Sequence, residues 1–311
     1  MKFACVFPGQ GSQSVGMLAD WAATNPLIVD TFQEAGDALG LDLWARVSTG
    51  PEDELNRTEI TQPAMLAAGI AVWRSWKAAG GADPAFLAGH SLGEYSALVA
   101  AGSLDFADAV RLVAERGRLM QAAVPAGAGG MAAILGLDDA DVVAVCAQAA
   151  DGQVVEAVNF NSPGQVVIAG DAAAVKRASG LAMERGAKRV VPLSVSVPSH
   201  SSLMEPAARE LAAVLEKVEL REPRLPVLHN VDAGTRQAPA AIREALVAQL
   251  HRPVRWTECV QALRGRGVNT LLEMGPGKVL AGLTRRIDRE LSGVSVLDEA
   301  SLRAALEQTG A

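Results

Sequence analysis

The sequence predicts an α/β fold: a parallel sheet covered by helices on both faces, interrupted by a smaller β-α-β-β-α-β insert. Three observations predict it. Short, wholly apolar runs such as Phe3–Phe7 and Ala85–Ala88 lead into glycine-rich turns and then into helical patterns, which is how strands buried on both faces read. From about Pro125 the texture changes to paired strands around a turn. After Ser199 helical segments return.

In order, the Phe3–Phe7 strand enters the loop Pro8-Gly9-Gln10-Gly11-Ser12-Gln13, and a helix follows over Gln62–Ala78. Ala85–Ala88 runs through Gly89-His90-Ser91-Leu92-Gly93 into the helix Glu94–Ala101. Met131–Leu137, Val154–Phe160, Gln165–Ala169 and Arg189–Val197 read as strands, and Asp138–Ala150 and Ala172–Arg185 as helices. That order is the one found in ferredoxin-like units, so residues 125–197 are expected to form a small subdomain inserted in a body built from 1–124 and 198–311. The body would resume with a helix over Leu203–Val218, a strand near Val227 and a last strand over Thr270–Glu273.

Composition bounds the function. Of 311 residues half are apolar and a fifth charged, a globular balance. The net charge of -7 argues against general affinity for nucleic acid or an anionic membrane. No apolar run reaches spanning length, and the N-terminus is too short for a signal segment. Cys5, Cys146 and Cys259 are odd in number and far apart. They suit a reducing compartment, hence the cytoplasm, and neither a disulfide framework nor a zinc site. No metal and no cofactor is expected.

The chemistry centres on Gly89-His90-Ser91-Leu92-Gly93, a G-x-S-x-G pattern with a strand before it and a helix after it. A sharp strand-to-helix turn lifts the Ser91 hydroxyl above the sheet, beside a helix N-terminus where the Leu92 amide can stabilise an oxyanion. An ordinary glycine-flanked turn is the bland alternative. A serine nucleophile needs a base, and four histidines exist: His90, His200, His229 and His251. His90 adjoins the nucleophile and should point away from it. His200 follows a strand end, where α/β sites gather side chains; His229 and His251 remain competitors. No acid stands where a hydrolase triad would have one, and a carbonyl could fix the imidazole tautomer instead. On the helix after Asp105, Phe106, Ala109, Val110, Val113 and Met120 form the buried stripe, and Arg116 falls along it. A buried guanidinium requires an anion, supplied by an internal ion pair or by a substrate carboxylate, unless the stem snorkels to water.

Taken together, Phe7-Pro8-Gly9-Gln10-Gly11-Ser12-Gln13, Gly89-His90-Ser91-Leu92-Gly93-Glu94, Arg116-Gly117, Asn161-Ser162-Pro163-Gly164-Gln165, Val197-Pro198-Ser199-His200 and Gly275-Pro276-Gly277 closely resemble the malonyl-CoA:acyl carrier protein transacylases over nearly the whole chain. The resemblance implies an α/β-hydrolase-like body with a ferredoxin-like insert. It implies Ser91 as nucleophile, His200 as base, Gln10 and Leu92 as oxyanion-hole amides and Arg116 as holder of the malonyl carboxylate. Gln249 matches the glutamine whose backbone carbonyl orients the histidine; Gln62, Asn161 and Met120 match residues of the substrate site. Malonyl-CoA and the phosphopantetheine thiol of an acyl carrier protein would be the partners of a monomeric enzyme of fatty acid synthesis. A malonate decarboxylase subunit, a discrete polyketide acyltransferase, a serine thioesterase and a catalytically dead scaffold are the competing readings.

Overall fold

The structure, a computed structural model, describes residues 2–193 and 197–310. Five strands form the parallel sheet of the body: β1 (Phe3–Phe7), β2 (Phe86–Gly89), β7 (Val227–Leu228), β8 (Thr270–Met274) and β9 (Ser292–Val296), in the order β7-β2-β1-β8-β9. β1 lies at its centre, with all five residues buried. Successive side chains of a strand point to opposite faces. Phe3, Cys5 and Phe7 accordingly join one apolar cluster, and Ala4 and Val6 join another on the reverse face. This is why the run carries no polar residue.

The second sheet is antiparallel: β3 (Gly129–Leu135), β4 (Val155–Ser162), β5 (Gln165–Asp171) and β6 (Arg189–Pro192), in the order β4-β5-β3-β6. Helices Asp139–Ala149 and Ala172–Glu184 connect its strands. They pack through Val142, Val145, Ala174 and Ala178 onto Ile134 and Ile168. Met131, Val158, Val167 and Ala169 form a smaller cluster with the opposite side-chain sense. Edge strand β4 is fastened to the body: Phe160 N–H donates to Val254 O (3.0 Å) and Val254 N–H to Val158 O (2.8 Å). Glu156 accepts from Ser202 N–H at 2.7 Å and Ser202 Oγ–H at 2.8 Å. The small sheet thereby grips the segment that follows His200.

Several boundaries differ from the sequence reading, each for a physical reason. The helix read from Gln62 begins a turn earlier, at Thr58, and carries Pro63 inside it, where the missing N–H removes one intrahelical hydrogen bond. The Leu203–Val218 helix divides into a 3-10 turn, Ser202–Met204, and a helix, Glu205–Leu215, with Pro206 in its first turn. β6 ends at Pro192, and the last part of the expected Arg189–Val197 strand, residues 194–196, lies outside the described residues. Thr270–Glu273 is not the last strand. β9 follows it, and its Ser-Gly-Val-Ser-Val sequence hides an edge strand of mostly half-buried residues. A Cβ on Gly293 would stand 2.5 Å from Ala281 O, so only glycine lets the neighbouring helix lie this close.

Glycine clearance is tightest where β1 and β2 turn out of the sheet. A Cβ on Gly93 would meet Phe7 O at 2.1 Å, a backbone atom of the central strand. Gly180, exposed on helix Ala172–Glu184, has nothing within 4 Å. Gly93→Ala is therefore expected to lower unfolding free energy by about 3 kcal/mol or more through overpacking. Gly180→Ala should raise it by about 0.5–1 kcal/mol. Urea unfolding of both variants checks the contrast.

Candidate active site

β2 ends at Gly89 and the next helix runs from Gly93 to Ala100. Between them Ser91 adopts φ 51, the left-handed conformation that side chains rarely accept. Two features hold it there. A Cβ at Gly89 would lie 1.9 Å from Gly93 C, so the turn closes only between glycines. The carboxamide of Asn230 spans the bend: Ser91 N–H donates to its Oδ1, and its Nδ2–H donates to Gly89 O, both at 2.7 Å. Asn230 follows β7, so the first strands and β7 deliver their residues at the same carboxyl end of the sheet.

The Ser91 Oγ stands 2.7 Å from His200 Nε2, and His200 Nδ1 stands 2.7 Å from the backbone O of Gln249. A carbonyl only accepts, so the proton sits on Nδ1 and leaves Nε2 free to accept from the serine hydroxyl. His200 is itself left-handed at φ 66, with its N–H donating to Leu250 O at 3.1 Å. Burial, and after it the charge of Arg116, pull the pKa of His200 down to about 3. The ring is a neutral base throughout the working range.

Arg116 is 1% exposed. Gly117 beside it lets its helix approach the start of helix Thr58–Ala78, since a Cβ there would lie 2.7 Å from Thr58 O. That closeness brings Gln62 within reach. Arg116 Nη1–H donates to Gln62 Oε1 at 2.8 Å; Nη2–H donates to Gln249 Oε1 at 3.0 Å and to Ser91 Oγ at 3.4 Å. The Tyr95 ring centroid lies 5.5 Å from its Cζ. Burial lowers the guanidinium pKa, while Tyr95 and Glu94 oppose that. Among the described residues no carboxylate forms an ion pair with Arg116, and its Nε–H has no acceptor.

A cavity of about 110 Å³ opens onto Ser91 and His200, and Gln10, Leu92, Arg116, Met120 and Met131 line it. Among the described residues the amide N–H groups of Gln10 and Leu92 have no acceptor, an arrangement open to an oxyanion. Gln62 and Asn161 stand one step behind. Gln62 is fully buried against Arg116 and Met120, and Asn161 lies 2.8 Å from His90 Nε2. His90 also borders the cavity, but its Nε2 is engaged with Asn161 and its ring packs 5.7 Å from Trp256. His251, only partly buried, is not part of the cavity lining. His229 is fully buried, with Nδ1 at 2.7 Å from Glu94 Oε1. Sequence reasoning missed Asn230 and named Glu94 only as the end of the Gly89–Glu94 motif and the start of a helix, with no role. Glu94 had a usable signal, a lone charge opening an apolar helix; Asn230 had only its place after a strand.

A strained serine, a tautomer-fixed histidine and open amides at the carboxyl edge of a doubly covered parallel sheet define a serine acyl-transfer site. The acyl transferase domain family matches residues 4–300, and the chain belongs to that family. It is 57% identical over 307 residues to the malonyl CoA-acyl carrier protein transacylase of Salmonella typhimurium, covering 99% of each chain. Among solved structures it is similar to an acyl carrier protein S-malonyltransferase from Vibrio cholerae, at TM-score 0.96 and 58% identity over 98% of this chain and 100% of that one. A malonyl-transacylase in complex with its type II PKS acyl-carrier protein superposes at TM-score 0.98 with 57% identity, over 99% of this chain and 100% of that one.

The depressed His200 predicts a pH profile. kcat/KM reports the free enzyme, so acyl-enzyme formation should stay flat from about pH 8 to about pH 5. An inflection near 6.5, the ordinary value, would contradict the geometry. Stability, in contrast, depends on pH in this range. The unfolded chain takes up this proton below about 6.5 and the native state does not, so folding weakens as pH falls towards 3.

Proposed function

We propose that this enzyme transfers the malonyl group of malonyl-CoA to the phosphopantetheine thiol of an acyl carrier protein, through a malonyl-Ser91 intermediate, in the service of fatty acid synthesis. The observation that carries the substrate assignment is Arg116: a buried guanidinium, 3.4 Å from the nucleophile oxygen, with no carboxylate of the described chain paired to it. A malonyl carboxylate would supply the missing charge by two parallel hydrogen bonds. The names of the relatives point to the same substrate.

The steps follow from the geometry. Ser91 Oγ attacks the thioester carbon while its proton passes to His200 Nε2, and the amides of Gln10 and Leu92 receive the oxyanion. The C–S bond breaks and Nε2 returns the proton to the CoA sulfur. In the second half the carrier thiol gives its proton to Nε2 and attacks the malonyl ester. Ser91 Oγ leaves and takes that proton back. Gln249 O keeps Nδ1–H in place throughout. This chemistry calls on no cofactor.

Three free, buried cysteines support the cytoplasm as the site of action, and among the described residues no helix is long and apolar enough to cross a membrane. We read the active form as a monomer, which light scattering would test. A second reading concerns the carrier. The 57% identical complex pairs its enzyme with a type II PKS carrier, so polyketide synthesis competes with fatty acid synthesis as the destination.

Intact-protein mass spectrometry after exposure to malonyl-CoA should show one malonyl group on the wild type and none on Ser91→Ala. Adding a holo acyl carrier protein should discharge it; CoA release that continues unchanged without carrier would indicate a thioesterase. Arg116→Ala should reduce kcat/KM for malonyl-CoA by on the order of a hundredfold, about 2.7 kcal/mol, and that for acetyl-CoA by less than about tenfold. Equal losses for both acyl groups would overturn the assignment of Arg116.

A further inference from the structure

Glu94 is fully buried, three residues beyond the nucleophile, and takes no part in the chemistry above. Its carboxylate collects three donors: His229 Nδ1–H at 2.7 Å, Asn230 N–H at 3.0 Å and Gln249 Nε2–H at 2.9 Å. Two of these partners reach the reacting groups directly. Asn230 spans the strained bend at Ser91. Gln249 donates to Ser91 O at 2.9 Å, accepts from Arg116 on its side chain and from His200 on its backbone.

We propose that Glu94 is a positioning residue that fixes nucleophile, base and carboxylate clamp relative to one another, acting through Asn230 and Gln249. The proposal rests on the roles given above to Ser91, His200 and Arg116. A carboxylate suits the task because it is acceptor-only, with room for several donors. A neutral side chain of the same length offers one accepting atom. Removing the group would leave the Asn230 backbone N–H without a buried acceptor and would leave the Gln249 carboxamide only Ser91 O to donate to. The Asn230 backbone and the Gln249 carboxamide would each lose one anchor and could shift, and a displacement of about 1 Å between reacting groups costs on the order of a hundredfold in rate.

The two ways of removing Glu94 separate geometry from charge. In Glu94→Gln the carboxamide oxygen still accepts from Asn230 and Gln249. Its NH₂ donates to His229 Nδ1 once that ring moves its proton to Nε2, a nitrogen with no partner among the described residues. In Glu94→Ala every bond is lost.

The test is stopped-flow acylation of the full enzyme with malonyl-CoA and, separately, acetyl-CoA, with burst amplitude counting the competent sites. Glu94→Ala is expected to slow acylation by about a hundredfold for both acyl groups, with KM and burst amplitude held near wild type. Glu94→Gln should recover most of the rate. Asn230→Ala, which keeps the charge of Glu94, should show the same kcat-only loss, and it decides the matter if Glu94→Ala does not fold. Wild-type rates in Glu94→Ala or Asn230→Ala overturn the proposal, as does a Glu94→Gln enzyme as slow as the alanine variant. Malonylation that persists in Ser91→Ala would instead refute the nucleophile assignment, whatever the Glu94 variants do.

Discussion

The site is organised around one buried charge. Arg116 carries a guanidinium into a region sealed from water, and taking such an ion out of water costs several kcal/mol unless it is compensated. The protein compensates it with the neutral oxygens of Gln62, Gln249 and Ser91. That arrangement leaves the charge uncancelled by any carboxylate among the described residues. Burial first, and the uncancelled charge after it, keep His200 unprotonated, so the base is ready before substrate arrives. A carboxylate bound at Arg116 would offset the charge and raise the proton affinity of the ring, in the complex where Ser91 must give up its proton. On the role proposed for Arg116, substrate recognition and part of the base's poise would share one cation.

The scaffold makes this arrangement affordable in conformational terms. β1, β2 and β7 end together, and the loops after them meet through glycines that leave no room for a side chain: a Cβ on Gly9 would stand 2.5 Å from His90 O, and one on Gly93 2.1 Å from Phe7 O. The strained φ values of Ser91 and His200 cost on the order of 1–3 kcal/mol each. Hydrogen bonds that exist only in that geometry offset them, from Asn230 at the serine and from Leu250 and Gln249 at the histidine. The antiparallel sheet contributes from the other side. Its Met131 lines the cavity, and Glu156 holds the residue two beyond His200.

Much of this was legible in the chain because the signals are local. Phe3–Phe7 shows its burial on both faces in five consecutive apolar residues, and Ser91 shows its bend in the two glycines that flank it. Arg116 was visible because a charge on an apolar stripe contradicts helical periodicity. What escaped had no local signature. β9 is held by its register with β8 and by a glycine under a helix, not by hydrophobic content. Glu273, in the strand before, is buried because Leu280 and Ala281 N–H donate to it across a turn. Asn230 lies 139 residues from the serine amide it accepts from. No spacing in a single sequence encodes such a pairing.

The distance between the two buried ions follows from the same logic. Glu94 would be the obvious partner for Arg116, yet the Gln249 carboxamide stands between them, accepting from one and donating to the other. A carboxylate in direct contact with the guanidinium would cancel its charge and fill the place proposed for an acidic substrate. With an amide interposed, attraction between the ions persists at longer range, where it is weaker, while the arginine's short-range donors meet only neutral acceptors. A neutral acceptor yields to a charged one, because a charge-assisted hydrogen bond is roughly twice as strong. The fold thus keeps Glu94 near Arg116 but one carboxamide away, the spacing that the proposed clamp for a carboxylate would need.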